Sequence, residues 1–365
     1  MFKKFKLLKW ILLGLGSIVL ILFLFGYWFM SLIPPKEENL ETTQVKELPY
    51  VSENIPLFRG KILAVVTSTN KMGSSGKNTG YELTELARAY YVFQANGFEV
   101  DIASPQGGNP PVVIDDDDMG AFDFAFLNDT TAQTKVKNSI AIQKVNVDAY
   151  EAVYFVGGKG AMFDFPNNKA IQNIIRNYNQ SNKVIGAVCH GPAALVNVTL
   201  DNGHAFLKGK TVSGFTNKEE LLLIPEAASI FPFLLQDQLV ASGASFNEGE
   251  MYLQKVSHDS NLVTGQNPWS VWIVAETMIT QLGYNPKLRE ITDEENAIKV
   301  LTVFNKEGTA SAKKMIEKML KDEKRAINRT LIAQHSLVAA MKGDIGQFFE
   351  IIGLVSFTKK MKEAN

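Results

Sequence analysis

The stretch Lys183-Val184-Ile185-Gly186-Ala187-Val188-Cys189-His190-Gly191-Pro192-Ala193-Ala194-Leu195 constrains this chain more than any other. Val184, Ile185, Ala187 and Val188 form a short apolar run of the kind that fills a buried strand of a parallel sheet. Gly191 permits a tight turn, and Pro192 suits the first position of a helix. A strand, a sharp turn and a helix therefore succeed one another without a spacer. Cys189, the only cysteine in 365 residues, falls at the corner. A thiol just before a helix N-terminus meets the positive end of the helix dipole, which favours the reactive thiolate. A free cysteine is equally at home in a core, so the rest of the chain has to decide between the two readings.

The flanking sequence alternates strand and helix. Ile62 to Thr67 reads as a first strand, and Thr69 to Gly80 as a polar, glycine-rich loop. Leu83, Leu86, Ala87, Tyr90, Tyr91 and Phe93 recur at helical spacing between Tyr81 and Asn96, and Gly97 supplies the stop. Phe98 to Ala103 alternates as a second strand, and Ala152 to Val156 reads as a third. A helix over Asn168–Gln180 then leads into the Cys189 strand. Lys210–Phe215 and Leu262–Thr264 read as further strands, and Trp269–Leu282 as a helix closed by Gly283. Such a βα pattern predicts an open, mostly parallel sheet. Cys189 would sit at the C-terminal end of a central strand, where such sheets place their sites. The third strand ends in Gly157-Gly158-Lys159-Gly160, which has neither the Rossmann nor the P-loop spacing. Its other use is to aim bare backbone N–H groups at a developing oxyanion.

Composition narrows the chemistry. A net charge of −1 gives no support for nucleic-acid binding. A single cysteine excludes an internal disulfide framework and any multi-cysteine metal site. His190, His204, His258 and His335 contain no pair at metal-ligand spacing, and the acidic run Asp115–Asp118 lacks the calcium-loop pattern and reads as a solvated loop. No metal is expected.

The two ends stand apart. Trp10 to Ile33 runs 24 residues without a charge, behind Lys3, Lys4, Lys6 and Lys9. That exceeds the ~20 apolar residues that span a bilayer, and Trp10, Tyr27 and Trp28 lie near its ends, where aromatic residues favour the interface. The run is longer than a signal-peptide core and no A-x-A-like site comes after it. It is read as an uncleaved, single-pass anchor, with the basic flank in the cytoplasm and the rest of the chain outside. Residues 34–58 read as a linker, and 59–284 as the α/β domain. Residues 285–365 read as a helical region, with a capping box at Thr292–Glu295 and one long helix from about Ala310 to Met341. This region would pack on the main domain or on the partner of a homodimer.

A nucleophilic thiol needs a base, an acid and oxyanion donors. His190, adjacent to Cys189, is the candidate proton shuttle. Spacing alone cannot choose the carboxylates. Ala187-Val188-Cys189-His190-Gly191-Pro192 resembles the nucleophile elbow of the PfpI / class I glutamine amidotransferase-like superfamily, in its glyoxalase III and heat-shock chaperone-like branch. Gly80-Tyr81-Glu82-Leu83-Thr84-Glu85-Leu86 is similar to that branch's first-helix motif, Tyr154–Gly160 to its oxyanion loop, and Ser213–Glu220 to the segment with the third triad acid. The resemblance covers about Lys61 to Gly283. It implies a flavodoxin-like α/β sandwich with helices on both faces. It also implies Cys189 as nucleophile, Glu85 as the acid at the thiol, and Glu220, next to Glu219, as the acid orienting His190. Backbone donors around Gly157, Gly158 and Lys159 would form the oxyanion and substrate site. The implied reaction converts methylglyoxal, a small aldehyde, to D-lactate with no glutathione or other cofactor. A chaperone or redox sensor, or a peptidase, is the alternative on the same fold. Lys159 stands where the branch often carries a histidine, and relatives lack the anchor and the extra C-terminal region.

Overall fold

The computed structural model describes residues 2–35, 39–115 and 119–363, with only the backbone for residues 2–8. The side chains of Lys3, Lys4 and Lys6, and all of Asp116–Asp118 and residues 36–38, lie outside the described set. The chain divides into two compact units, Glu38–Glu290 and Met1–Glu37 with Ile291–Asn365.

The first unit is an α/β sheet domain. Its main sheet is built from β1 (Lys61–Val65), β2 (Glu99–Ser104), β3 (Ile140–Ala141), β4 (Ala152–Phe155), β5 (Val184–Val188), β6 (Val256–Asp259) and β7 (Leu262–Gly265), in the spatial order β6-β7-β5-β4-β1-β2-β3. Every neighbouring pair is parallel except β6–β7, an antiparallel hairpin at one edge. Within this, β2-β1-β4-β5-β7 is the order of flavodoxin-like sheets, whose strands reverse direction of winding between β1 and β4. All five residues of β5 are buried, which explains the unbroken apolar run. Gly186 is its one gap, because a Cβ there would lie 2.2 Å from Met278 Sδ of the helix Val271–Gln281. That helix packs on β5, β7 and the helix Leu83–Ala95.

Three expectations change. The stretch read as a linker is folded onto this unit: Leu48 and Tyr50 are buried in the core, and Leu40, Val45 and Val51 pack against it. Their spacing matches short 3₁₀ and helical turns, so no single period announces them. At the other end the unit extends past 284, where the backbone N–H of Lys287 donates to Asn96 Oδ1 and Arg289 pairs with Glu276 at 2.8 Å. The strand expected over Lys210–Phe215 is reduced to Thr211–Val212, paired with Ser245–Phe246 in a separate two-stranded sheet.

The second unit is helical. Thr292 and Glu295 form the expected capping box on Asp293–Glu307. The single helix expected from Ala310 to Met341 is two, Thr309–Glu317 and Arg329–Met341, the first prolonged by a wider π turn over Lys318–Asp322. The break is local chemistry. Lys324 takes a left-handed backbone (φ 54°), and the Asn328 side chain accepts the Leu331 N–H to start a new helix. A turn then joins Arg329–Met341 to the last helix, Ile345–Glu363. At the N-terminus, the helix Phe2–Leu32 contains Lys9–Leu32, with a mean hydropathy of 2.3 and long enough to cross a membrane.

Candidate active site

β5 ends at Val188, and Cys189 then turns the backbone into the left-handed region (φ 57°). Residues other than Gly, Asn and Asp seldom take this conformation, which costs about 1–2 kcal/mol. Two hydrogen bonds hold it there: the Cys189 N–H donates to Gly265 O of β7, and its carbonyl accepts the Phe215 N–H. The neighbouring Gly191 is obligatory, since a Cβ would fall 2.2 Å from Phe155 O. The chain then enters a single 3₁₀ segment, Gly191–Leu195, and not the α-helix expected after Pro192. One short turn aligns few peptide dipoles, so the expected helix-dipole activation of the thiol is largely absent.

The thiol's surroundings act the other way. Burial, then the nearby Glu85 and Glu82, push the Cys189 thiol well above its ordinary range, against an opposing pull from Lys159. Glu85, in the first turn of Leu83–Ala95, is completely buried, and that burial pushes its carboxyl well above the usual range. Its Oε2 accepts the Gly157 N–H at 2.8 Å, and the carboxyl also hydrogen-bonds with the Cys189 thiol. Gly157 is therefore committed to Glu85, while the N–H groups of Gly158 and His190 donate to no group among the described residues. A Cβ on Gly157 would lie 2.4 Å from Glu85 Oε2 and 2.8 Å from Cys189 Cβ, so glycine is needed for the acid and thiol to meet.

On the other side of the thiol, His190 Nδ1 lies 3.3 Å from Cys189 Sγ, and His190 Nε2 lies 2.6 Å from Glu220 Oε2. Burial raises the Glu220 carboxyl, but the charge and hydrogen bond of His190, with Lys159, outweigh it, and the net shift is downward. Glu220 is thus a carboxylate and can only accept. His190 Nε2–H donates to it, leaving the Nδ1 lone pair to accept from the Cys189 thiol. The imidazole also lies against the Phe215 ring, with centroids 4.6 Å apart.

Glu219 and Glu220 now separate. Glu219 is fully buried and points back at its helix start, accepting the Thr216 N–H at 3.0 Å. It also accepts the Tyr252 N–H (2.7 Å), Gln266 Nε2 (3.0 Å) and Asn267 Nδ2 (3.0 Å). It fastens the segments after β7 and before β6 to the base of the Glu220 helix. The capping-box spacing Thr216-x-x-Glu219 is the sequence signal for this role. Tyr252 is a support that sequence reasoning does not single out. Glu219→Ala strands several buried donors at once and is expected to lower stability by about 3 kcal/mol or more. Chemical denaturation measures this, and activity per folded molecule should survive, whereas Glu220→Gln should retain stability and lose activity.

The arrangement is a strained, buried thiol between a buried carboxyl and a carboxylate-oriented imidazole. A family model for the DJ-1/PfpI family matches residues 77–281. Glyoxalase 3 of Candida albicans is 30% identical over 234 residues, which cover 62% of this chain and 99% of that protein. Glutathione-independent glyoxalase HSP31 of Saccharomyces cerevisiae is 31% identical, covering 61% and 98%. Among solved structures, Rapid Encystment Protein 24 kDa of Francisella tularensis is 36% identical, covers 62% of this chain and 100% of its own, and superposes with a TM-score of 0.59. Both the elbow and the family match lie within the α/β unit, and the chain belongs to the DJ-1/PfpI family.

Proposed function

We propose that the protein is a cysteine-dependent, glutathione-independent glyoxalase that converts small 2-oxoaldehydes such as methylglyoxal to 2-hydroxy acids such as D-lactate. The observation that carries this is the chain of contacts Glu85–Cys189–His190–Glu220. It puts an acid and a base against one nucleophile. The names of relatives at about the same length as the α/β unit support the same substrate class.

Each residue has a defined part in the reaction. His190 Nδ1 takes the thiol proton, and Glu220 stabilises the imidazolium. The Cys189 sulfur adds to the aldehyde carbon, and Glu85 gives its proton to the aldehyde oxygen, forming a hemithioacetal. Glu85, now a carboxylate, removes the hydrogen from that carbon while His190 protonates the ketone oxygen, giving an enediol. Glu85 then returns the proton to the second carbon and His190 takes the hydroxyl proton from the first, leaving a 2-hydroxyacyl thioester on Cys189. Water then gives one proton to Glu85 and its hydroxyl to the acyl carbon while the departing sulfur takes the proton held by His190, which releases the 2-hydroxy acid and restores the thiol, Glu85 and His190. The sum is 2-oxoaldehyde plus water to 2-hydroxy acid, with no net oxidation. The N–H groups of Gly158 and His190 are the donors for the oxyanions. Lys159, half-buried beside them, favours negative charge on all three acidic groups. Incubation with methylglyoxal in the absence of glutathione should yield D-lactate by chiral assay. No 2-hydroxy acid from fully folded protein contradicts the proposal.

We also propose that Lys9–Leu32 anchors the protein in a membrane, with the α/β unit on the side opposite the basic N-terminal flank. Its length and hydropathy, Lys9 at its start and the aromatic residues near its ends support this. The full chain should stay with membranes through alkaline carbonate extraction, and recovery in the soluble fraction would contradict it.

A further inference from the structure

The helical unit carries more apolar surface than its own packing uses. Arg329–Met341 and Ile345–Glu363 pack as a hairpin, and Leu331, Ile332, Ala339, Ile351, Ile352 and Val355 are buried within the unit. Beyond that seam, at the turn between them, Leu337, Met341, Ile345 and Phe349 are each half exposed or more. Leu337 and Met341 close one helix and Ile345 and Phe349 open the next, so exposed apolar side chains flank the turn on both helices. Clusters of this kind mark an interaction surface, whereas single exposed apolar residues do not.

The same unit says what the tip meets. Phe25 of the N-terminal helix has its ring centroid 6.3 Å from Phe348 and 6.3 Å from Phe349. Further along, Lys359 Nζ donates to Ser31 O at 2.8 Å. The last helix therefore runs alongside the end of the apolar span, with its tip toward the middle of the span and Lys359 toward the span's end. Trp10 and Trp28 are 18 residues apart, ~27 Å along a helix, close to the ~30 Å of a bilayer's hydrocarbon. If Trp28 marks the interface, Phe25 lies ~4.5 Å below it. That is the depth at which interfacial helices bury their apolar side chains, at the boundary of headgroups and acyl chains.

Resting on the anchor reading, we infer that the hairpin tip Leu337–Phe349 is a second membrane contact, dipping into the interfacial layer of the bilayer beside the span. It makes the helical unit a monotopic collar on the anchor. The occupant is lipid, not a second protein.

The test uses the full chain in phosphatidylcholine–phosphatidylglycerol vesicles. Cys189→Ala removes the only native thiol, and nitroxide labels then go on Ile345→Cys or Phe349→Cys, with Leu20→Cys as the span control and Lys324→Cys as the water control. Collision rates with oxygen and with a nickel chelate report depth. The oxygen-to-nickel ratio at 345 and 349 should exceed that at 324 several-fold and move toward that at 20. A ratio at 345 and 349 equal to that at 324, with a lipid-like value at 20, overturns the tip while leaving the anchor. A water-like value at 20 overturns both, and dipolar broadening between labels at 345 assigns the tip to a second copy instead. Trypsin gives an answer on the unsubstituted chain: cleavage after Lys342 should be suppressed in vesicles while cleavage after Lys324 persists, and equal cleavage overturns the proposal.

Discussion

Cys189→Ala is expected to reduce D-lactate formation from methylglyoxal by about 10⁴-fold or more, to the rate without enzyme. Each covalent step of the proposed sequence passes through this sulfur, and no second cysteine can replace it. The fold should not suffer. Alanine at φ 57° carries the same backbone penalty as cysteine, and only a buried Sγ is lost. Cys189→Gly separates function from strain more sharply. It is equally inactive but removes the left-handed penalty, so at equal cavity cost it should be about 1 kcal/mol more stable than the alanine variant. Activity and thermal melts of the two variants check both halves. Turnover by Cys189→Ala above a few per cent of the original would remove the nucleophile from the account.

Glu85→Gln should lower activity by about 10³-fold and raise stability at neutral pH. The amide keeps the shape and still accepts the Gly157 N–H, but cannot pass a proton to the substrate. The stability gain comes from the direction of the shift. Burial raises the Glu85 carboxyl well above its ordinary 4.5. The native state therefore holds a proton that the unfolded chain has lost, and stability falls as pH rises from about 4.5 through the folded value. The limiting slope is about 1.4 kcal/mol per pH unit for one group. Below 4.5 the wild type and the variant should differ little, and above it the variant should be the more stable. Asp164, raised to about 6 by burial despite hydrogen bonds from Ser68 and Thr67, bends the curve in the same sense in both proteins. The difference between the two urea-unfolding profiles across pH isolates Glu85. Parallel profiles would show that Glu85 is ionised in the fold and cannot donate the proton assigned to it.

These effects come from a region that is unevenly legible in the sequence. The strand ending at Cys189 is readable because a strand buried on both faces has to be apolar at every position, and Val184–Val188 is. The acids are not readable from spacing, since Glu85 and Glu220 come from helices far apart in the chain, and only the motif resemblance singles them out. The structure brings Glu85 to the thiol and Glu220 to His190. The short 3₁₀ segment after the elbow cannot be told from a helix, because Gly-Pro opens either. Residues 40–52 look like a linker because short turns carry no period, yet Tyr50 packs its ring on Phe122 with centroids 6.2 Å apart. The edge strand Val256–Asp259 escapes notice because it is only four residues long, Val256 is its one apolar residue, and His258 is exposed. In each case tertiary contacts, not local propensity, decide the outcome.

The central claim is that Cys189 carries the substrate as a 2-hydroxyacyl thioester. Wild-type protein, acid-quenched during turnover of methylglyoxal without glutathione, should show one added methylglyoxal mass on the peptide containing Cys189. Neutral hydroxylamine should release it as the hydroxamate of lactic acid, as thioesters do and plain hemithioacetals do not. An unmodified Cys189 peptide during active turnover, or an adduct that yields no hydroxamate, would contradict the account.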